Sequence, residues 1–322
     1  MRVTETRINF ELINIEAQNN CTFTSSGAKN FSNLSLLNIQ SKIQKPFVTL
    51  ELNQGVLNGS LRNFKSNEQR NIGFFSNNTS NGNCKFTDVW AKASLGNQYN
   101  FIGVTLDFGE FYPKKVTVEY YKNNVKMASK TIDEIDETWA FFNLKAINID
   151  EVKVIFEESW APYQYANLQE LLLGDIIEWT TEHIVNSNLQ EETDIISKVI
   201  PNDTLSLTIY SKDEDFNILN PKNSYGYLLP NQKLTVTEII REIDEETKQE
   251  IERQEISMGQ FYLDKWESIN RTQIKFNLVS PLAQLDKTQF KKSNMYTGTA
   301  TSATAFTQFT FLFCCCFWLF AG

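Results

Sequence analysis

Apolar and polar residues alternate with a period of two through much of this 322-residue chain. Ile102, Val104, Leu106 and Phe108 alternate with Gly103, Thr105 and Asp107, and Val116, Val118 and Tyr120 repeat the pattern after Pro113. Val152, Val154 and Phe156 repeat it once more before Pro162. A two-residue period turns one side of each segment to a core, so the pattern predicts three half-buried strands. Within residues 101–174 their turn-separated spacing predicts a β-sandwich or barrel. Ile8, Phe10 and Leu12 predict an opening strand, and residues 47–52 another, followed by a loop at Gly55 and Gly59. The Asn- and Ser-rich stretch 66–83 surrounds Gly73-Phe74-Phe75 and reads as long surface loops, where sandwiches carry binding residues.

After Gly174 the pattern predicts a second set of strands. Residues 179–185 read as one alternating strand with Trp179, Thr181, His183 and Val185 on one side, and Leu205, Leu207 and Ile209 mark a clearer one. Strands also follow at 234–240, 261–266 and 272–278. The charged segment 241–255 holds good helix formers but almost no apolar stripe, which favours a hairpin tip over a helix. The expected organisation is all-β: a sandwich over 1–176, a second β-rich domain over 177–296 and an atypical end over 297–322. The apolar run 311–320 falls short of the roughly 20 residues that span a bilayer. It reads either as a poor membrane anchor or as a truncated or frame-shifted end.

Composition narrows the function classes. The chain is 13% aromatic with a net charge of −9 and no concentrated basic stripe, so a nucleic-acid partner is not expected. The first residues lack the apolar core of a signal peptide, so Sec-type export is not indicated and synthesis in a cytoplasm is the default expectation. Cys21 and Cys84 are isolated and Cys314, Cys315 and Cys316 are adjacent, a spacing unsuited to zinc. Cys21 and Cys84 read as small buried hydrophobes, with a pairing in space left open. Neither a metal site nor a cofactor is expected.

Catalytic constellations are also missing. The only histidine, His183, has no nucleophile motif near it, and no phosphate-binding glycine motif occurs. The acidic pairs Asp133/Glu134, Glu157/Glu158 and Asp213/Asp215 have the residue types of a glycosidase, but surface carboxylates are expected in so acidic a chain. Residues 212–217 lack the glycine and closing glutamate of a calcium loop and read as a turn. No catalytic residue is assigned. Aromatics beside amides suit carbohydrate, since ring faces stack on sugars and amides bond hydroxyl groups. On that ground Phe74, Phe75, Asn77, Trp90, Tyr163 and Tyr165 are the candidate carbohydrate-binding residues, with inward packing of the aromatics as the competing reading.

Gly73-Phe74-Phe75-Ser76, Gly103-Val104-Thr105-Leu106-Asp107-Phe108 and Pro162-Tyr163-Gln164-Tyr165-Ala166, together with residues 47–60, resemble a discoidin-like (galactose-binding-like) jelly roll. This version stands at the front of tail proteins from phages and prophages of Firmicutes. Asn220-Pro221, Met258-Gly259-Gln260-Phe261-Tyr262-Leu263-Asp264-Lys265-Trp266 and Leu285-Asp286-Lys287-Thr288 resemble the β-domain of baseplate hub and tail-spike attachment proteins. The family usually has Trp where Phe75 stands, and its chains continue beyond residues 285–288. The resemblance implies a structural virion component of a tail tip or baseplate, made in the bacterial host cytoplasm. It further implies tail-protein partners, a host-surface glycan as ligand and a homo-oligomer, commonly a trimer. A tail-associated cell-wall hydrolase and a structural spacer without glycan binding are the alternatives.

Overall fold

A computed structural model describes residues 2–29, 32, 34, 37, 73–191, 203–220, 224–244 and 250–282. The strands of the first half are β1 (Arg2–Ile13), β2 (Thr22–Ser25), β3 (Phe74–Thr79), β4 (Lys85–Phe101), β5 (Val104–Asp107), β6 (Lys115–Lys122), β7 (Val125–Ile132), β8 (Trp139–Phe142) and β9 (Ala146–Glu158). They continue with β10 (Tyr165–Leu168), β11 (Glu170–Leu172), β12 (Gly174–Trp179), β13 (Ile184–Gln190), β14 (Thr204–Tyr210), β15 (Lys233–Ile243), β16 (Glu250–Ser268) and β17 (Gln273–Val279). The all-β expectation holds: strands dominate, and a single longer helical segment, α1 (Ile15–Asn20), follows β1 with Asn14 capping it through the Ala17 N–H.

One core is a β-sandwich. A five-stranded antiparallel sheet, β2-β4-β9-β6-β7, faces the shorter sets β10-β3 and β11-β5-β8. The alternation read from sequence does this directly, because Val116, Val118 and Tyr120 on β6 and Val152, Val154 and Phe156 on β9 all turn inward. Phe156 gathers Phe74, Phe86 and Phe108 around it, with ring centroids 6.0, 6.3 and 6.2 Å away. Such offset and edge contacts suit aromatic quadrupoles.

The second core lies on a seven-stranded sheet of order β12-β1-β15-β16-β17-β14-β13. Trp179 packs on both Phe10 at 5.3 Å and Phe276 at 5.6 Å, the two phenyl rings being 5.5 Å from each other, and Phe216 and Leu228 from the connection after β14 complete the cluster. The chain's first strand thus pairs with β15, and the boundary expected between residues 176 and 177 falls inside β12. Topologically the sandwich is an insertion between β1 and β12, which are themselves hydrogen-bonded neighbours from Ile8↔Trp179 to Ile13↔Gly174.

The entry and exit of this insertion meet in a tight stem. The Asn14 N–H donates to the Leu173 carbonyl at 2.9 Å. Gln18 bridges the same turn, donating to the Leu171 carbonyl and accepting from the Leu173 N–H. Gly174 is required by space: a Cβ there would lie 2.1 Å from the Leu12 carbonyl oxygen and 2.6 Å from the Ile13 Cα. Its own carbonyl accepts from the Thr105 hydroxyl at 2.9 Å, which ties the stem to β5.

Several local expectations shift. The alternating run 179–185 is interrupted by a 3₁₀ turn, Thr181–His183, because the Thr180 hydroxyl and the His183 ring cap one another. The hairpin reading of 241–255 holds in its arms, since β15 and β16 pair from Lys233↔Tyr262 to Ile243↔Glu250. Arg241 on β15 pairs with Glu250 on β16 across the arms and with Glu5 on the neighbouring β1. Cys21 is buried, Cys84 sits in a turn, and no disulfide joins them. The expected strand at 47–52, the glycines at 55 and 59, Pro221, residues 285–288 and the end 297–322 lie outside the described residues.

Asp175 is an exception to the apolar side of β12. It shares the side of Ile177 and Trp179, and burial pushes its carboxyl up to about 6, opposed by a hydrogen bond from the Ile176 backbone. The folded state therefore holds a proton that the unfolded chain releases near pH 4, so this residue's contribution to stability falls as pH rises from about 4 to about 6. Asp175→Asn is expected to stabilise the fold by about 2 kcal/mol at pH 8, with the gain shrinking toward zero at pH 4. Thermal unfolding at both pH values checks this, and a variant less stable than the parent at pH 8 contradicts it.

Candidate functional site

The sandwich has one end at the stem and another free of it. Register places four loops at the free end. Lys85 and Lys115 both pair with Glu158, Val116 pairs with Ile132, Asp107 pairs with Trp139, and Tyr165 pairs with Thr79. The loops 80–84, 108–114, 133–138 and 159–164 therefore converge there. Loops at the ends of a rigid sandwich are free to carry recognition residues.

Three of these loops are tied in series. The Lys114 N–H donates to the Glu158 carbonyl at 2.8 Å, and the Ile135 N–H donates to the Lys114 carbonyl at 3.0 Å. Trp160 then donates its indole N–H to the Ile135 carbonyl at 2.8 Å. Ile135 itself is buried in the sandwich core, so the acceptor is fixed. The result is an indole held in one orientation with 47% of its surface exposed. Lys114 Nζ lies 5.7 Å from its ring centroid, a cation–π distance.

Beside the indole is a cleft of about 420 Å³ lined by Lys114, Lys115, Asp133, Glu134 and Glu158. Lys115 bonds Asp133 at 2.9 Å and Glu157 at 3.4 Å. The Asp133 hydrogen bond, then the Glu157 one, holds the Lys115 ammonium above the usual lysine value, so it stays charged across the physiological range. The cleft offers ammonium donors and carboxylate acceptors, and Lys114, which lines it, also reaches the fixed Trp160 ring. That combination suits a polyhydroxylated ligand with an apolar ring face.

Tyr163, 48% exposed, stands on the same loop in a left-handed conformation with φ of 62°. Its hydroxyl leans over Gly82, 3.2 Å from where a Cβ would stand. The backbone is held there from below by buried hydroxyl groups. Ser159 donates to the Ala161 carbonyl at 2.7 Å, and Ser80 accepts from the Gln164 N–H at 3.1 Å. The Ala161 N–H reaches the Gln164 side-chain oxygen at 3.1 Å.

The six residues singled out from sequence are dispersed. Phe74 is fully buried and Phe75 is 5% exposed, so both face the interior and present no surface to a ligand. Their apolar bulk wins over the polar composition around them. Trp90 lies half-buried on the outer side of β4 under the Lys153 ammonium, 4.9 Å from the ring centroid. Asn77 is exposed on β3, and Tyr165 opens β10 with Lys29 4.9 Å above its ring. Tyr163 alone of the six belongs to the free-end loops. Trp160 and the charged cleft were the residues missing from that set. Among the described residues no group of three His, Cys, Asp or Glu side chains gathers in metal-binding proximity, and His183 sits by the seven-stranded sheet.

No protein-family model matches the chain, and no curated protein matches it. Among solved structures, a Streptococcus pneumoniae fucose binding module, SpX-3, is similar at 9% identity and a TM-score of 0.31, covering 47% of this chain and 91% of that one. A family 89 glycoside hydrolase from Clostridium perfringens is similar at 12% identity and a TM-score of 0.29, over 48% of this chain and 14% of that one. At these scores the likeness carries no weight, and the sandwich rests on its own pairings and core.

The left-handed Tyr163 gives a direct check. A non-glycine residue in that region costs about 1 kcal/mol, so Tyr163→Gly is expected to leave thermal stability unchanged or raise it. A clear loss of stability would show that the ring is held for packing and is not available to a ligand.

Proposed function

We propose that this protein is a non-enzymatic attachment component that binds carbohydrate at the free end of its sandwich. The observation that carries the reading is Trp160: an exposed indole with its N–H locked to a core-anchored carbonyl, beside a cleft with both charge signs. A ring fixed in advance loses little entropy when a sugar stacks on it. The virion setting, a phage or prophage tail tip or baseplate, is supported by the sequence resemblance centred on residues 258–266, with the seven-stranded sheet as the part that joins neighbouring tail proteins.

The test is binding of the full chain to host cell-wall polysaccharide fractions and to a glycan array. Trp160→Ala is expected to weaken binding about tenfold or more, equivalent to ~1.4 kcal/mol, while Trp90→Ala on the outer sheet face leaves it intact. Retention on no fraction, or equal loss from both variants, contradicts the reading. Detection of the chain in purified tailed particles by mass spectrometry tests the virion setting separately.

A further inference from the structure

Asn81 and Gly82 form the one Asn-Gly pair among the described residues, and both are exposed in the free-end loop 80–84. A tight turn holds them. The Cys84 N–H donates to the Asn81 carbonyl at 2.9 Å, and the Asn81 N–H donates to the Lys85 carbonyl at 2.9 Å. The Asn81 side-chain oxygen accepts twice, from the Asn83 N–H and from the Lys85 N–H, each at 2.9 Å. Two backbone donors identify that atom as the oxygen of the side-chain amide, which leaves the amide nitrogen on the other side.

These donors stand where one particular reaction builds charge. Attack on a side-chain amide by the next residue's backbone nitrogen places negative charge on the amide oxygen, and donors already aimed at it stabilise that charge without reorganisation. The other two participants are unobstructed. Among the described residues no hydrogen bond uses the Gly82 N–H or the Asn81 side-chain nitrogen, and both residues face solvent. Gly82 also has no Cβ to hinder the approach.

We infer that Asn81 is a self-modification site, where the turn of loop 80–84 promotes conversion of the asparagine to aspartate and isoaspartate. The Gly82 nitrogen bonds the Asn81 Cγ and loses its proton to water or hydroxide. The bond from Cγ to Nδ2 then breaks, and the amide nitrogen leaves as ammonia after taking a proton from solvent. What remains is a cyclic imide joining residues 81 and 82. Water adds to one of its two carbonyls: opening on one side gives aspartate, and opening on the other gives isoaspartate, whose main chain runs through Cγ. One water is consumed and one ammonia released, with nothing oxidised or reduced. Either product adds a negative charge to a chain of net charge −9, and isoaspartate also lengthens the backbone of the loop. The change falls under the Tyr163 hydroxyl, which leans over Gly82, so the free end ages in one direction. The inference is independent of the carbohydrate reading.

Peptide mapping by mass spectrometry tests it, with the full chain held at pH 8 and 37 °C both native and unfolded in guanidinium chloride. The turn exists only in the native protein, so Asn81 is expected to convert about tenfold faster or more there than in the unfolded chain. Labelling by an isoaspartate methyltransferase should fall on the same peptide. Asn81→Gln, whose longer side chain cannot close the same ring, is expected to abolish that labelling, with thermal unfolding to confirm the fold. The comparison of native with unfolded parent needs no variant. Conversion of Asn81 that is slower in the native protein, equal in both states or absent overturns the inference.

Discussion

Asn14 donates its backbone N–H to the Leu173 carbonyl at 2.9 Å, and Gly174 packs its α-carbon against Leu12 and Ile13 with no room for a side chain. Every strand of the sandwich lies between these two points in the chain. The stem sets the insertion as one hydrogen-bonded step in the seven-stranded sheet, continuous with the β1–β12 ladder. Gln232 reaches the same place from the other half, donating to the Ile13 and Tyr227 carbonyls at 3.0 and 2.9 Å while fully buried. Because leaving a buried amide or carbonyl unpaired costs more than its bond gains, these contacts hold as a group. The free-end loops are a consequence: with one end of the sandwich committed to the stem, the other stands clear of it.

Strand content was legible because a period of two survives wherever one side of a strand is buried. The runs on β5, β6, β9, β14 and β17 each show it in the residues that turn inward. Pairing was not legible. Nothing in Ile8, Phe10 and Leu12 says that their neighbours are Trp179 and Leu234, since the partners are distant in sequence and the alternation is the same for any of them. The break after Trp179 escaped for a different reason, because a Thr180–His183 cap costs the pattern only three residues.

The sequence offered residue types for a candidate site but not their placement. Aromatic and amide residues suited a sugar, yet Phe74 and Phe75 are core, and the exposed aromatics divide among the outer sheet side, the β3–β10 pair and the free end. Trp160 owes its orientation to an acceptor, the Ile135 carbonyl, placed by a separate loop that is itself placed by Lys114. A backbone acceptor leaves no mark in sequence.

Replacement of Gly174 by alanine, followed by hydrogen exchange along the chain, tests the stem most directly. A Cβ at 2.1 Å from a backbone oxygen forces β1 and β12 apart, at a cost of ~3 kcal/mol. The account predicts loss of amide protection in β1, β12 and β11 together, since the stem serves both the sheet and the sandwich. Unchanged protection in all three strands, with parental stability, would contradict it.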